Sequence, residues 1–212
     1  LGSMFVGAGL FSMFLFLGLY LQVILGYSPL KSGVAFLPFT AGIIIFAGIA
    51  SQLLPKIGPK PLMIPGLLAA ALGMILLTRI TPATSYATHV LPSLLIISSG
   101  MALVFIPLST TSLHHVGSHD AGVASALVNT SQQIGGSLGT ALLNTIAATA
   151  AASYVKAHSS LGKALPAFAQ THGFTAAFKI GALLMLVGAI VLVFFINVGK
   201  DSVVETEGAM LH

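Results

Sequence analysis

The sequence predicts an all-α membrane protein of six transmembrane helices, and three observations carry that prediction. Of its 212 residues 56% are hydrophobic and only 6% charged, where a soluble domain has about a quarter charged. Mean hydropathy is +1.03. The charged side chains fall almost wholly between or after apolar stretches of about 20 residues, the length a helix needs to cross a hydrocarbon core of about 30 Å. A water-soluble domain is thereby excluded, and the lipid bilayer is the first implied partner. The net charge of +4 comes from scattered Lys and Arg side chains that form no stripe able to track phosphates, so nucleic-acid binding is excluded too. With no cysteine, disulfides and thiolate metal sites are ruled out.

The first predicted span covers residues 4–25 and stops at Gly26-Tyr27-Ser28-Pro29, a turn cluster. It has neither the charged start nor the short core of a secretory signal, so it is read as a retained helix. The second covers 33–54 and stops at Pro55-Lys56-Ile57-Gly58-Pro59-Lys60; the third covers 61–78. The fourth covers 89–113, with an exit loop holding His114, His115, His119 and Asp120, and the fifth covers 121–152. After the longest connection, which holds Lys156, Lys163 and Pro166, the sixth covers 173–198, with Lys179 near enough its start to snorkel. Residues 1–198 thus form one six-span bundle, and 199–212 a short tail. The third and sixth spans are almost uniformly apolar and are expected to face lipid. Lys56, Lys60 and Lys200 lie on one side, and Lys31, Arg79, Lys156 and Lys163 on the other, a balance that leaves orientation open. A three-plus-three internal relation between the spans lies below what one sequence reveals.

Polar residues inside spans mark packing contacts or a wet pathway, because an unpaired polar group in hydrocarbon is costly. In the fifth span Asn129, Gln133, Ser137 or Thr140, and Asn144 share one side at helical spacing. Gln132, Gly135, Gly136 and Gly139 lie beside them, and Gly135 to Gly139 has the GxxxG spacing that lets helices approach closely. Two readings stand: helix packing glued by amides, or contact with substrate or a moving partner domain. The fourth span holds Ser98, Ser99 and Gly100, then Pro107 followed by Ser109, Thr110 and Thr111, which is either a static kink capped by hydroxyls or a hinge. In the first span Met13, Phe16, Leu17 and Tyr20 share a face that suits greasy ligands or plain packing. The three histidines and Asp120 read as a polar loop rather than a metal centre, since adjacent histidines point apart on a helix. No Asp or Glu lies within a span, so enzyme chemistry has no obvious place to sit, no cofactor or metal is implied, and the coupling acid of a proton-driven carrier must lie elsewhere.

One junction resembles a known signature. Tyr20-Leu21-Gln22, then Gly26-Tyr27-Ser28-Pro29-Leu30, Gly33 and Leu37-Pro38 resemble the corresponding turn of the 14-span drug:proton antiporter family, the EmrB/QacA type, in the major facilitator superfamily. Pro55 to Lys60 is similar to a degenerate copy of the superfamily's cytoplasmic loop motif, with only Lys56 and Lys60 as charges. Phe105-Ile106-Pro107-Leu108 in the fourth span, and Ala121 through Asn129 and on from Gln133 to Gly139 in the fifth, resemble further stretches of that family. The resemblance implies the C-terminal six-helix bundle of a multi-pass plasma-membrane exporter. Such a carrier moves amphipathic small molecules by alternating access, with protons as coupling ion. It places Phe16, Tyr20, Ser98, Phe105 and Ser109 on the substrate pathway, and the second and fifth spans against the other bundle. Asn129, Gln132, Gln133, Gly135, Gly136, Gly139 and Pro107 then act at the moving contact. It also implies a cytoplasmic tail and a cytoplasmic Lys56 and Lys60. The start at Leu1, without an initiating methionine and just ahead of a span, leads to the expectation of a missing N-terminal half of the same transporter. The alternatives are a fragment without transport of its own and a homodimeric half-size carrier.

Overall fold

A computed structural model describes residues 2–113 and 120–195; His114, His115, His119 and the tail predicted over 199–212 lie outside the described residues. Its elements are α1 (Gly2–Leu19), α2 (Pro29–Ala35), α3 (Leu37–Ile57), α4 (Lys60–Leu77), α5 (Leu91–Leu113), α6 (Ala121–Ala157) and α7 (Leu165–Phe195). Grouped by continuity they give six membrane-crossing helices: Gly2–Ile24, Pro29–Ile57, Lys60–Leu77, Tyr86–Thr111, Ala121–Ala157 and Leu161–Phe194. Six crossings define two faces. The tyrosine face carries Tyr20 and Tyr86, and the lysine face carries Lys56 and Lys60.

The turn between the first two crossings shows why its residues are as they are. Gly26 adopts φ 66°, a left-handed conformation open to glycine at no steric cost. The Ser28 hydroxyl accepts the Lys31 backbone N–H at 3.2 Å as the N-cap of α2, and Pro29 opens that helix where its missing N–H costs nothing. The Lys31 ammonium lies 3.8 Å from the centre of the Tyr27 ring. The second crossing therefore starts at Pro29 rather than near residue 33. The sixth helix also starts early, at Leu165, since Pro166 sits in its first turn, where proline is tolerated.

Two π-helical turns flank the tyrosine face, Tyr20–Ile24 at the end of α1 and Tyr86–Val90 at the start of α5. Each begins with a tyrosine that ties it to a neighbouring element. The Tyr20 hydroxyl donates to the Thr81 carbonyl at 2.8 Å, and the Tyr86 hydroxyl to the Ala35 carbonyl at 2.6 Å.

Helix pairing follows a three-plus-three pattern. The first helix of each triplet packs on the second and third of the other: α1 on α6 and α7, and α5 on α3 and α4, with α4 against α7 between them. This is the arrangement of internally repeated carriers. The triplets part company at one point, for α6 packs broadly on α7 whereas α3 barely meets α4.

The core fills the space among α1, α4, α5 and α7, with Met13, Phe16, Leu67, Met74, Leu94 and Phe178 at its centre. Only 17% of the most apolar stretch of α6 is buried and 22% of that of α2–α3, against 44% to 56% for the other crossings. The third and sixth crossings, expected to face lipid, do so on one side only. Leu68, Leu72, Leu183 and Ile190 are exposed while Leu67, Met74, Phe178 and Met185 are buried. A uniformly apolar helix offers lipid and protein the same chemistry, so its sequence does not mark which side packs. Lys179 lies on the exposed side of α7, about 21 Å from that helix's first residue at 1.5 Å per residue.

Candidate functional site

Helices α1 and α6 pack closely because their contact is built from glycines. A Cβ at Gly135 would strike the Met4 backbone, one at Gly139 would strike Ala8, and one at Gly7 would strike the Gln132 carbonyl. At Gly136 the obstacle is the Phe11 ring, 2.8 Å from where a Cβ would stand. The glycine trio expected at a moving contact is thus turned toward α1 of the same bundle and is buried there.

Where α6 turns away from that seam a groove of about 550 Å³ opens. Phe11, Leu15 and Leu19 of α1 form an apolar wall, and Ser137, Thr140 and Asn144 of α6 a polar one. Such a groove can hold a molecule with one greasy and one hydrogen-bonding side. Further along α6, Asn129 and Gln133 are exposed and Gln132 half-buried. Among the described residues no hydrogen-bond partner reaches the side-chain amides of Asn129, Gln132, Gln133 or Asn144, while the hydroxyls of Ser137, Thr145 and Thr149 all donate to carbonyls of α6 itself.

The other residues singled out from sequence are spread through the bundle. Phe16 and Tyr20 are in the core, Phe16 edge-on to Phe178 with ring centres 6.5 Å apart. The face of α1 that lines the groove carries Phe11, Leu15 and Leu19 instead, which sequence reasoning missed. Helix α1 is apolar all round, so no contrast in its sequence separates a core face from an open one. Ser98 is fully buried, donates to the Leu95 carbonyl at 2.9 Å, and lies against Gly42 of α3. Phe105 is half-buried and Ser109 exposed. Pro107 is buried within a helix that continues through it. Its ring frees the carbonyl of Leu103, yet Thr110 and Thr111 donate to Ile106 and Pro107 at 3.1 and 2.7 Å. Lys56 is exposed, and the Lys60 ammonium donates to the Val193 carbonyl at 3.4 Å, placing a cation near the C-terminal end of α7. No group of three His, Cys, Asp or Glu side chains able to hold a metal comes together among the described residues.

Residues 1–140 match the Major Facilitator Superfamily. The chain belongs to that superfamily. Six crossing helices and this membership make it a multi-pass protein of the plasma membrane. Among Major Facilitator Superfamily relatives it is 42% identical over 204 residues to the puromycin resistance protein pur8 of Streptomyces alboniger, covering 95% of this chain and 40% of that protein. It is 33% identical over 147 residues to the cephamycin export protein CmcT of Amycolatopsis lactamdurans, covering 69% of this chain and 30% of the relative. It is 30% identical over 186 residues to the lincomycin resistance protein LmrB of Listeria monocytogenes, covering 86% and 39%. The chain therefore spans 40% or less of the length of each of these relatives.

Proposed function

We propose that this chain is the C-terminal six-helix bundle of a small-molecule exporter that works by alternating access, a transporter rather than an enzyme. The carrying observation is the open side of α6. A side-chain amide without a partner is costly in hydrocarbon, so a helix face bearing several of them meets water or another protein surface. Asn129, Gln132 and Gln133 are the residues for a contact with an N-terminal bundle, and the glycine seam with α1 lets α6 shift without opening voids. Phe105 and Ser109 toward the lysine-face end of α5, Ser98 in the middle of that helix, and Phe16 and Tyr20 on α1 toward the tyrosine face are the residues for the substrate pathway at its successive depths, and Pro107 lets α5 bend. The relatives' names, puromycin resistance, cephamycin export and lincomycin resistance, support export of amphipathic compounds and give no single substrate. Proton coupling is part of the proposal, with its acid outside the spans described here. The family's orientation makes the lysine face cytoplasmic.

The test is a graft. With this chain replacing the matching segment of the Streptomyces alboniger protein, cells are expected to tolerate puromycin above the level of cells lacking any exporter. Sensitivity equal to those cells, despite normal membrane levels of the hybrid, would overturn the reading. A second reading, a fragment with no transport of its own, is favoured by the 40% coverage of that relative. Resistance from the hybrid with none from the chain alone is the outcome that fits a fragment needing its other half.

A further inference from the structure

A second cavity, of about 330 Å³, lies between α1, α6 and α7 toward the tyrosine face. Its apolar walls include Phe16 and Phe174, whose ring centres are 6.0 Å apart, and its room comes from Ala148 and Ala151, side chains too small to fill it. A carboxamide stands at each end: Asn144, deep along α6, and Gln170, in the second turn of α7. Among the described residues neither amide has a hydrogen-bond partner. Asn144 to Ala151 along a helix spans about 10 Å at 1.5 Å per residue, which sets the cavity's length. Asn144 also lines the α1–α6 groove, so the two spaces share a polar doorpost.

We infer that this cavity binds a flat aromatic molecule about 10 Å long with a hydrogen-bonding group at each end. Aromatic side chains receive the ring system, and the two amides, each able to donate and accept, receive its ends. Asn144 lines both spaces, so a molecule bound in the cavity lies beside the α1–α6 groove. The class of molecule rests on the exporter reading, whereas the site rests on the cavity alone.

The experiment is a binding titration of the purified full chain in lipid nanodiscs, read by fluorescence of proflavine, a three-ring aromatic with an amino group at each end. Acridine, the same ring system without the amino groups, is the comparison. Ala148→Phe fills the cavity and is expected to weaken both compounds more than tenfold; Ala148 is exposed, so the fold tolerates the ring. Asn144→Leu and Gln170→Leu are each expected to weaken proflavine about fivefold, the worth of one neutral hydrogen bond, and acridine less than twofold. Unchanged proflavine affinity in Ala148→Phe, or equal losses for both compounds in the two Leu variants, would overturn the site. Binding needs no transport. Failure of the graft with this binding pattern intact removes the exporter reading and leaves the site, and a working exporter indifferent to Ala148→Phe does the reverse.

Discussion

Two seams in this molecule use the same device and are surrounded differently. Between α4 and α5, Gly66 and Gly100 meet backbone to backbone, and Gly73 receives Ile97. Met63, Leu67, Ala70, Leu94 and Met101 enclose that contact in the core. Between α1 and α6, Gly7, Gly135 and Gly139 make an equally close approach, but α6 leaves its far side bare, with Val123, Leu127, Leu138 and Leu142 exposed among amides. Close packing of helices alone therefore says nothing of motion. What separates the seams is what lies behind them: a filled core behind one, and an open groove behind the other. An enclosed seam has one arrangement, because any shift opens voids or overlaps on both sides. A seam with one free side can move without that penalty.

The largest effect is expected where the enclosed seam is broken. Even a Cβ at Gly100 would overlap the Gly66 carbonyl and the Ala70 backbone, so Gly100→Leu should cost about 3 kcal/mol or more and abolish recovery of folded protein from membranes. Normal yield and thermal unfolding of that variant would show the two seams to be equally yielding. Gly136→Leu comes next. Its obstacle is the Phe11 ring, which can rotate aside, so insertion should survive with a loss of about 1–2 kcal/mol while resistance conferred by the hybrid exporter disappears. Full resistance from Gly136→Leu would remove the α1–α6 seam from the transport cycle. The paired change Asn129→Leu with Gln133→Leu alters only exposed side chains, so the chain's own stability should shift by no more than about 0.5 kcal/mol while export by the hybrid falls. An export rate equal to the parent's would mean that this face meets no partner. Tyr20→Phe is the smallest: losing the bond to the Thr81 carbonyl should cost about 1 kcal/mol in thermal unfolding, and the matching change at Tyr86 about the same.

Much of this was legible in the sequence because lipid imposes simple rules. Apolar length gave the six crossings, and the amide spacing along the fifth span marked the side of α6 that the structure leaves open. The glycine spacing announced a close helix contact, but not with which helix. That is a matter of partners, and α1 lies more than a hundred residues earlier in the chain. The groove wall was illegible for a different reason. Along α1, Phe11 and Phe16 are the same chemistry, yet one is open and the other in the core, and only the packing of α7 against Phe16 tells them apart. The two π-helical turns were hidden as well. Each begins at a tyrosine whose hydroxyl donates to a distant carbonyl, a partner that local spacing does not name.

The most direct measurement of the central claim is proton-gradient-dependent efflux of a fluorescent cationic dye from cells, comparing this chain alone with the same chain joined to an N-terminal transporter half. Export by the joined form alone, abolished by a protonophore, is the predicted result. Export by the 212-residue chain alone would contradict the account and make a homodimeric carrier the better description.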